Sequence, residues 1–137
     1  MEKKQPRLAV GAVVFHQGRV LLVKRDNPPG RGYWAIPGGS VRWGETLREA
    51  VIRELQEETG LTVRPREIVD ILEIIEPNQE GEIIYHYLIV DFQAEYLQGE
   101  LHPGDDASAG GWFTPEEAVR LKLTPSTRRL LRKLNFL

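Results

Sequence analysis

The chain has no cysteine, a single methionine and 8% aromatic residues in a length of 137. Without cysteine there is no disulfide, no thiolate nucleophile and no cysteine-ligated zinc, which suits a reducing cytoplasm. Neither sign of charge is in excess: 18 Lys and Arg stand against 20 Asp and Glu, for a net charge of −2. That balance attracts neither duplex nucleic acid nor an anionic membrane, so a negatively charged small molecule must be handled by local groups. No stretch reaches the roughly 18 apolar residues of a membrane span. The opening "MEKKQPRLAVGAVVF" places basic residues before an apolar run, but the run is short and has no small-x-small cleavage site. What is there, 41% hydrophobic and 28% charged residues without repeats or linkers, reads as one domain over 1–137 able to bury a core.

Residues 7–15 and 19–24 are apolar and β-branched, and predict an antiparallel pair turning at Gln17-Gly18. "DNPPGRG" is a loop, and "YWAIPGG" a short strand entering a tight turn. Thr46 with Glu49 forms a capping box and Gly60 a left-handed end, which predicts a helix over 47–59. Strands follow over 67–76 and 82–97 around the loop "EPNQEGE". The second of these is apolar on both faces, so it should be interior, with His86 a hydrogen-bonded core histidine. "HPGDDASAGG" reads as a loop before the short strand "GWF". Thr114-Pro115 and Thr124-Pro125 open two further helices, the second reaching "LLRKL". This order predicts an α+β chain with a mixed sheet packed between helices.

On the helix 47–59, Leu47, Ala50, Val51 and Leu55 define the buried arc, while Arg48, Glu49, Arg53 and Gln56 lie toward the sides and back. Glu54 and Glu58 fall inside the arc and Glu57 at its edge. Three like charges on adjoining turns repel, meet the unfavourable end of the helix dipole and lose hydration. A hard divalent cation such as Mg²⁺ or Mn²⁺ would offset this, sharing its remaining positions with substrate phosphates. The other reading is a solvated acidic helix neutralised by Arg48 and Arg53.

The spacing of Gly39, Glu45 and then Arg53-Glu54-Leu55-Gln56-Glu57-Glu58-Thr59-Gly60-Leu61 resembles the Nudix box of MutT-like hydrolases, and "VLLVKR", "YWAIPGG" and "GDDASAGGWF" extend the similarity over most of the chain. The resemblance implies an α/β/α sandwich and metal-dependent attack of water on a diphosphate bond. It implies Glu54, Glu57, Glu58 and the Gly39 carbonyl as metal ligands, and Glu45 with Arg53 as a pair holding loop to helix. Arg53, Glu54 and Glu57 are the candidate catalytic residues. The general base stays open between Glu54 and the loop acids Glu80 and Glu82.

On the substrate side, Asp106 has the spacing from Trp112 at which related sequences add a metal ligand, and Asp105 beside it is a candidate for base recognition; Gly-Asp-Asp is equally a good turn. Arg25 suits phosphate. Tyr33 and Trp34 are candidates to stack on a base or to pack in the core. Similarity to the ADP-ribose pyrophosphatase subgroup points to ADP-ribose or a similar nucleotide sugar, with a modified nucleoside triphosphate as the alternative and a non-catalytic nucleotide-binding module as a third reading. Expected partners are a small nucleotide and, as an assembly compatible with the resemblance, a homodimer.

Overall fold

The first hairpin turns on Gln17 and Gly18, at φ 51° and 76°, the left-handed pair that a two-residue turn between right-twisted strands requires. The computed structural model describes residues 4–137; Met1–Lys3, the first part of the basic opening, lie outside the described residues. In chain order the elements are β1 Arg7–His16, β2 Arg19–Arg25, β3 Trp34–Ala35, β4 Gly38–Ser40, α1 Leu47–Thr59, β5 Thr62–Pro77, β6 Ile83–Gln98, β7 Ala107–Phe113, α2 Pro115–Ala118 and α3 Pro125–Lys133.

The strands run β3-β2-β1-β6-β5, with β4 on β1 and β7 on β2. The sheet is mixed: β1 is parallel to β6, and antiparallel to β2 and β4. Because strand side chains alternate, β1 feeds two cores. Val10, Ala12 and Val14 meet Ala50, Val51 and Leu55 of α1, while Val13 joins Ala118 of α2 and Leu130 and Leu131 of α3. The sheet is therefore covered by α1 on one face and α2–α3 on the other, an α/β/α sandwich. Leu55 is fully buried, and cutting it to alanine should cost about 2–5 kcal/mol.

Two strand starts differ from the sequence reading, and one strand pairs over less of its length. β5 begins at Thr62 instead of 67, because register shifts between Pro65 and Asp70 let the strand carry a proline and a polar run without breaking. β7 begins at Ala107, where small residues with little strand preference pair with β2 as closely as Gly110 with Val23. β6 is interior as expected, yet only Tyr87–Ala94 pair with β1. Beyond that, β5 and β6 form a two-stranded ribbon that leaves Ile75, Ile83 and Ile84 exposed. His86 lies on this ribbon, half-buried and without a side-chain hydrogen bond among the described residues, so it is not the core histidine expected.

Candidate active site

Helix α1 starts as its sequence dictates. Thr46 Oγ1 accepts the Glu49 amide at 3.1 Å, and Glu49 Oε1 accepts the Thr46 amide at 3.0 Å. It ends on Gly60, at φ 77°, whose amide donates to Gln56 O at 2.9 Å. No basic residue occupies the last turn, so the C-terminal carboxylates face the negative end of the helix uncompensated along its own axis. Glu58 is 6% exposed. Burial pushes its carboxyl up to about 8, with Glu54 and Asp106 adding to the rise and Arg25 and the Gly38 amide opposing it. Glu54 is raised as well, first by burial; Arg53 opposes the shift, and Glu57 and Asp105 add to it.

Arg53 does not turn to the side and back of the helix as its wheel position suggested. Its long side chain reaches around to the acids and is only 16% exposed. Nε donates to Glu45 Oε2 at 2.6 Å and Nη2 to Glu45 Oε1 at 2.8 Å, a forked pair that ties the lead-in loop to the helix. Nη1 reaches Glu54 at 2.7 Å and Glu57 at 3.1 Å, and Nη2 also holds the Ser40 carbonyl at 2.9 Å. The hydrogen bonds from Arg53 hold Glu45 down at about 2 despite its partial burial. Arg42 donates to Glu57 at 3.2 Å. Arg48 takes no part: it bonds the carbonyls of Pro65 and Arg66 and lies over Phe92.

Gly39 stands directly against Glu54. A Cβ built on it would lie 2.4–2.6 Å from the Glu54 carboxyl atoms, so only glycine lets this backbone meet the acid. Gly38 is tighter still, its Cβ position 2.1 Å from Val10 O.

The helix end opens on a cavity of about 760 Å³ lined by Gly38, Gly39, Glu58, Arg25 and Asp106, and also by Asp91, Thr127 and Arg129. Arg25 commits Nε to Pro29 O at 2.6 Å. Asp106 accepts Asn27 Nδ2 at 2.6 Å. Asp105 holds a left-handed φ of 50° in the turn and is exposed outside the cavity lining. Trp34 is a packed aromatic and no base platform: it meets Phe113 edge-on at 5.2 Å within the α2–α3 core. Tyr33 lies under Lys122. Glu80 and Glu82 sit at the tip of the β5–β6 turn, where their amides bond Asn78 Oδ1, and neither lines the cavity. Sequence reasoning missed Asp91, a buried acid in the cavity wall; its signal was a lone aspartate inside the apolar run "YLIVDF".

Among the described residues, no three Asp, Glu or His side chains converge into a closed metal cage. The acids instead surround Arg53 and the cavity mouth. Their chemistry still fits a hard divalent ion: the donors are oxygens, Glu58 is buried without a salt bridge, and Gly39 has no side chain to fill the space against Glu54.

The fold is thus a mixed sheet between helices, with a capped acidic helix behind a glycine turn at the mouth of a cavity. The NUDIX domain profile matches residues 5–134, and the chain belongs to the Nudix hydrolase family. It is 37% identical over 108 residues to a Methanocaldococcus jannaschii protein named ADP-ribose pyrophosphatase, a match covering 79% of this chain and 62% of that one. This chain thus spans less than two thirds of that relative. It is 35% identical over 116 residues to the phosphatase NudJ of Escherichia coli, covering 85% of this chain and 73% of the relative. The crystal structure of a MutT NUDIX hydrolase from Burkholderia pseudomallei superposes with a TM-score of 0.79 at 32% identity, over 96% of this chain and 99% of that one. No helix of the described residues is long and apolar enough to cross a membrane.

Proposed function

We propose that this chain hydrolyses a diphosphate bond in a nucleoside diphosphate linked to another moiety, with ADP-ribose or a similar nucleotide sugar as substrate, in the cytoplasm and with Mg²⁺ or Mn²⁺ as cofactor. The observation that carries the reading is one continuous cavity walled both by the buried acid of α1, Glu58, with Arg25, and by the far-side residues Asp91 and Thr127. A cavity of that size suits a nucleotide. The name of the archaeal relative supports the choice of substrate.

Glu57, Glu58, Glu54 and the Gly39 carbonyl would hold the ion, with Asp106, which shares the cavity lining with Glu58, as a further candidate. Bound there, it would neutralise the phosphoryl oxygens and favour ionisation of a water. Glu54 takes the proton of the attacking water: its carboxyl stands against Gly39 of the cavity wall and is raised by burial, whereas Glu80 and Glu82 sit at the tip of the β5–β6 turn. Arg25, held by Pro29 through Nε alone, leaves its Nη groups for a phosphate. Arg53 fixes Glu54 and Glu57 against the loop. With ADP-ribose, the broken bond yields AMP and ribose 5-phosphate.

The second reading, a modified nucleoside triphosphate pyrophosphohydrolase, draws on the MutT likeness at nearly full coverage. Its product would be pyrophosphate, not AMP. The test is product analysis with ADP-ribose, other nucleotide sugars, dinucleoside polyphosphates and normal or oxidised triphosphates, each with Mg²⁺ or Mn²⁺. Selective AMP release from ADP-ribose supports the first reading; pyrophosphate from an oxidised triphosphate supports the second.

A further inference from the structure

Asp91 lies in a lateral ladder of three residues: Gly11 of β1 is its partner on one side and Asp70 of β5 on the other. Lateral partners project to the same face of a sheet. Asp70 is already neutralised, with Arg129 Nη2 at 2.6 Å and Lys133 Nζ at 3.4 Å. Asp91 has no such partner. It is 5% exposed, and among the described residues its carboxyl takes part in no hydrogen bond and no ion pair. Among the described residues no fully buried side-chain oxygen is left without a partner, so the Asp91 oxygens reach the surface of the cavity that this residue lines. Space for them is made by Gly11, where a Cβ would lie 2.3 Å from Oδ1.

A buried carboxyl without a partner costs stability, and hydrophobic residues were the ready alternative in the run "YLIVDF". None of the donors that line the cavity bonds Asp91: Arg129 is turned to Asp70, and the Thr124 and Thr127 hydroxyls bond each other, while Ile36 and Ile89 are half-buried in the same lining.

We propose that Asp91 is a specificity-determining residue that reads the hydrogen-bonding edge of an adenine base, pairing with its exocyclic amine and the ring nitrogen beside it. This rests on the reading of the cavity as a nucleotide site and deepens it. A carboxylic acid offers one donor and one acceptor side by side, the complement of adenine's amino hydrogen and lone-pair nitrogen. Burial, with Asp70 adding and Arg129 opposing, raises the Asp91 carboxyl to about 7, which keeps that acid form available. Guanine presents two adjacent donors and would call for the ionised form instead.

The experiment is calorimetric titration of the full chain, in the presence of Mg²⁺, with AMP, GMP and 1,N6-etheno-AMP, whose extra ring blocks both edge groups. Wild type, Asp91→Asn and Asp91→Leu are compared after thermal melts establish that each is folded. Wild type should bind AMP about tenfold or more tighter than the etheno compound, the scale of a site left with an unpaired buried group. Asp91→Asn, whose amide also carries a donor beside an acceptor, should keep the preference, and Asp91→Leu should lose it. Equal binding of AMP and etheno-AMP by wild type, tighter binding of GMP than of AMP, no AMP binding, or an unchanged ratio in Asp91→Leu each overturns the assignment. The two proposals fail separately. An Asp91-dependent AMP preference without any hydrolysis would sink the proposed reaction alone; ADP-ribose hydrolysis with an Asp91-independent ratio would sink this assignment alone.

Discussion

Arg53 holds Glu45 through two parallel hydrogen bonds, 2.6 and 2.8 Å, between side chains 16% and 13% exposed. The fork fixes the loop after Gly39 relative to α1, and the same guanidinium positions Glu54 and Glu57. Arg53→Lys supplies the charge without the fork. It should lower kcat by about tenfold or more and leave nucleotide affinity nearly intact, because the lost function is alignment of the acids. A double-mutant cycle with Glu45→Gln, read by thermal or denaturant unfolding, should give a coupling of about 1–3 kcal/mol. Additive effects would mean that the two side chains act independently.

Gly38 and Gly39 are neighbours with opposite sensitivities. At Gly38 an alanine methyl meets the Val10 backbone, which cannot yield without moving β1, so Gly38→Ala should cost about 3 kcal/mol of stability. At Gly39 it meets only the Glu54 carboxyl, which can swing aside. Gly39→Ala should therefore melt close to wild type yet lose about 100-fold in turnover. Chemical denaturation and steady-state kinetics on the two variants separate the effects.

Asp91 imposes a pH-dependent cost on folding. The folded protein keeps its proton up to about 7, whereas the unfolded chain releases it near the ordinary 3.8, so stability falls as pH rises through that window and levels off above it. At 1.36 kcal/mol per unit, the cost approaches about 4 kcal/mol above pH 7. The groups facing Asp91 are Asp70 from β5 and Arg129 from α3, with Lys133 engaged on Asp70. Asp91→Asn should be clearly more stable than wild type near pH 8 and little different near pH 4, measured as the difference between two melting curves across pH.

Much of this was legible in the sequence because the local signals were strong and mutually consistent. Thr46, Glu49 and Gly60 place α1 over Leu47–Thr59 as read, and Glu58 lies buried where its wheel position puts it. The early start of β7 was hidden because Ala107, Ala109 and Gly110 carry no strand signal, and their pairing with β2 comes from tertiary context. The Glu45–Arg53 pair that the resemblance implies is present, whereas the wheel alone put Arg53 toward the sides and back, because it tracks Cβ positions and ignores the reach of a long side chain. Trp34 was ambiguous in one dimension and is settled only by Phe113, far along the chain. Asp91 went unnoticed because its isolation shows only when Gly11 and Asp70 are brought to either side of it.

Metal dependence should show in stability as well as in rate. Any ion bound by the folded state alone raises the melting temperature in proportion to the logarithm of its concentration. Mg²⁺ or Mn²⁺ should thus stabilise the wild type, and the shift should shrink in Glu58→Gln, which replaces the most buried of the α1 acids. An equal shift in both proteins would place the ion elsewhere.

The most direct measurement is AMP release from ADP-ribose with Mg²⁺ by wild type and by Glu57→Gln, followed chromatographically. The account predicts turnover by the wild type, its loss on chelation, and a fall of about 100-fold or more in the variant, the scale of removing one preorganised electrostatic group. Equal release by both proteins, or release that survives chelation, would contradict it.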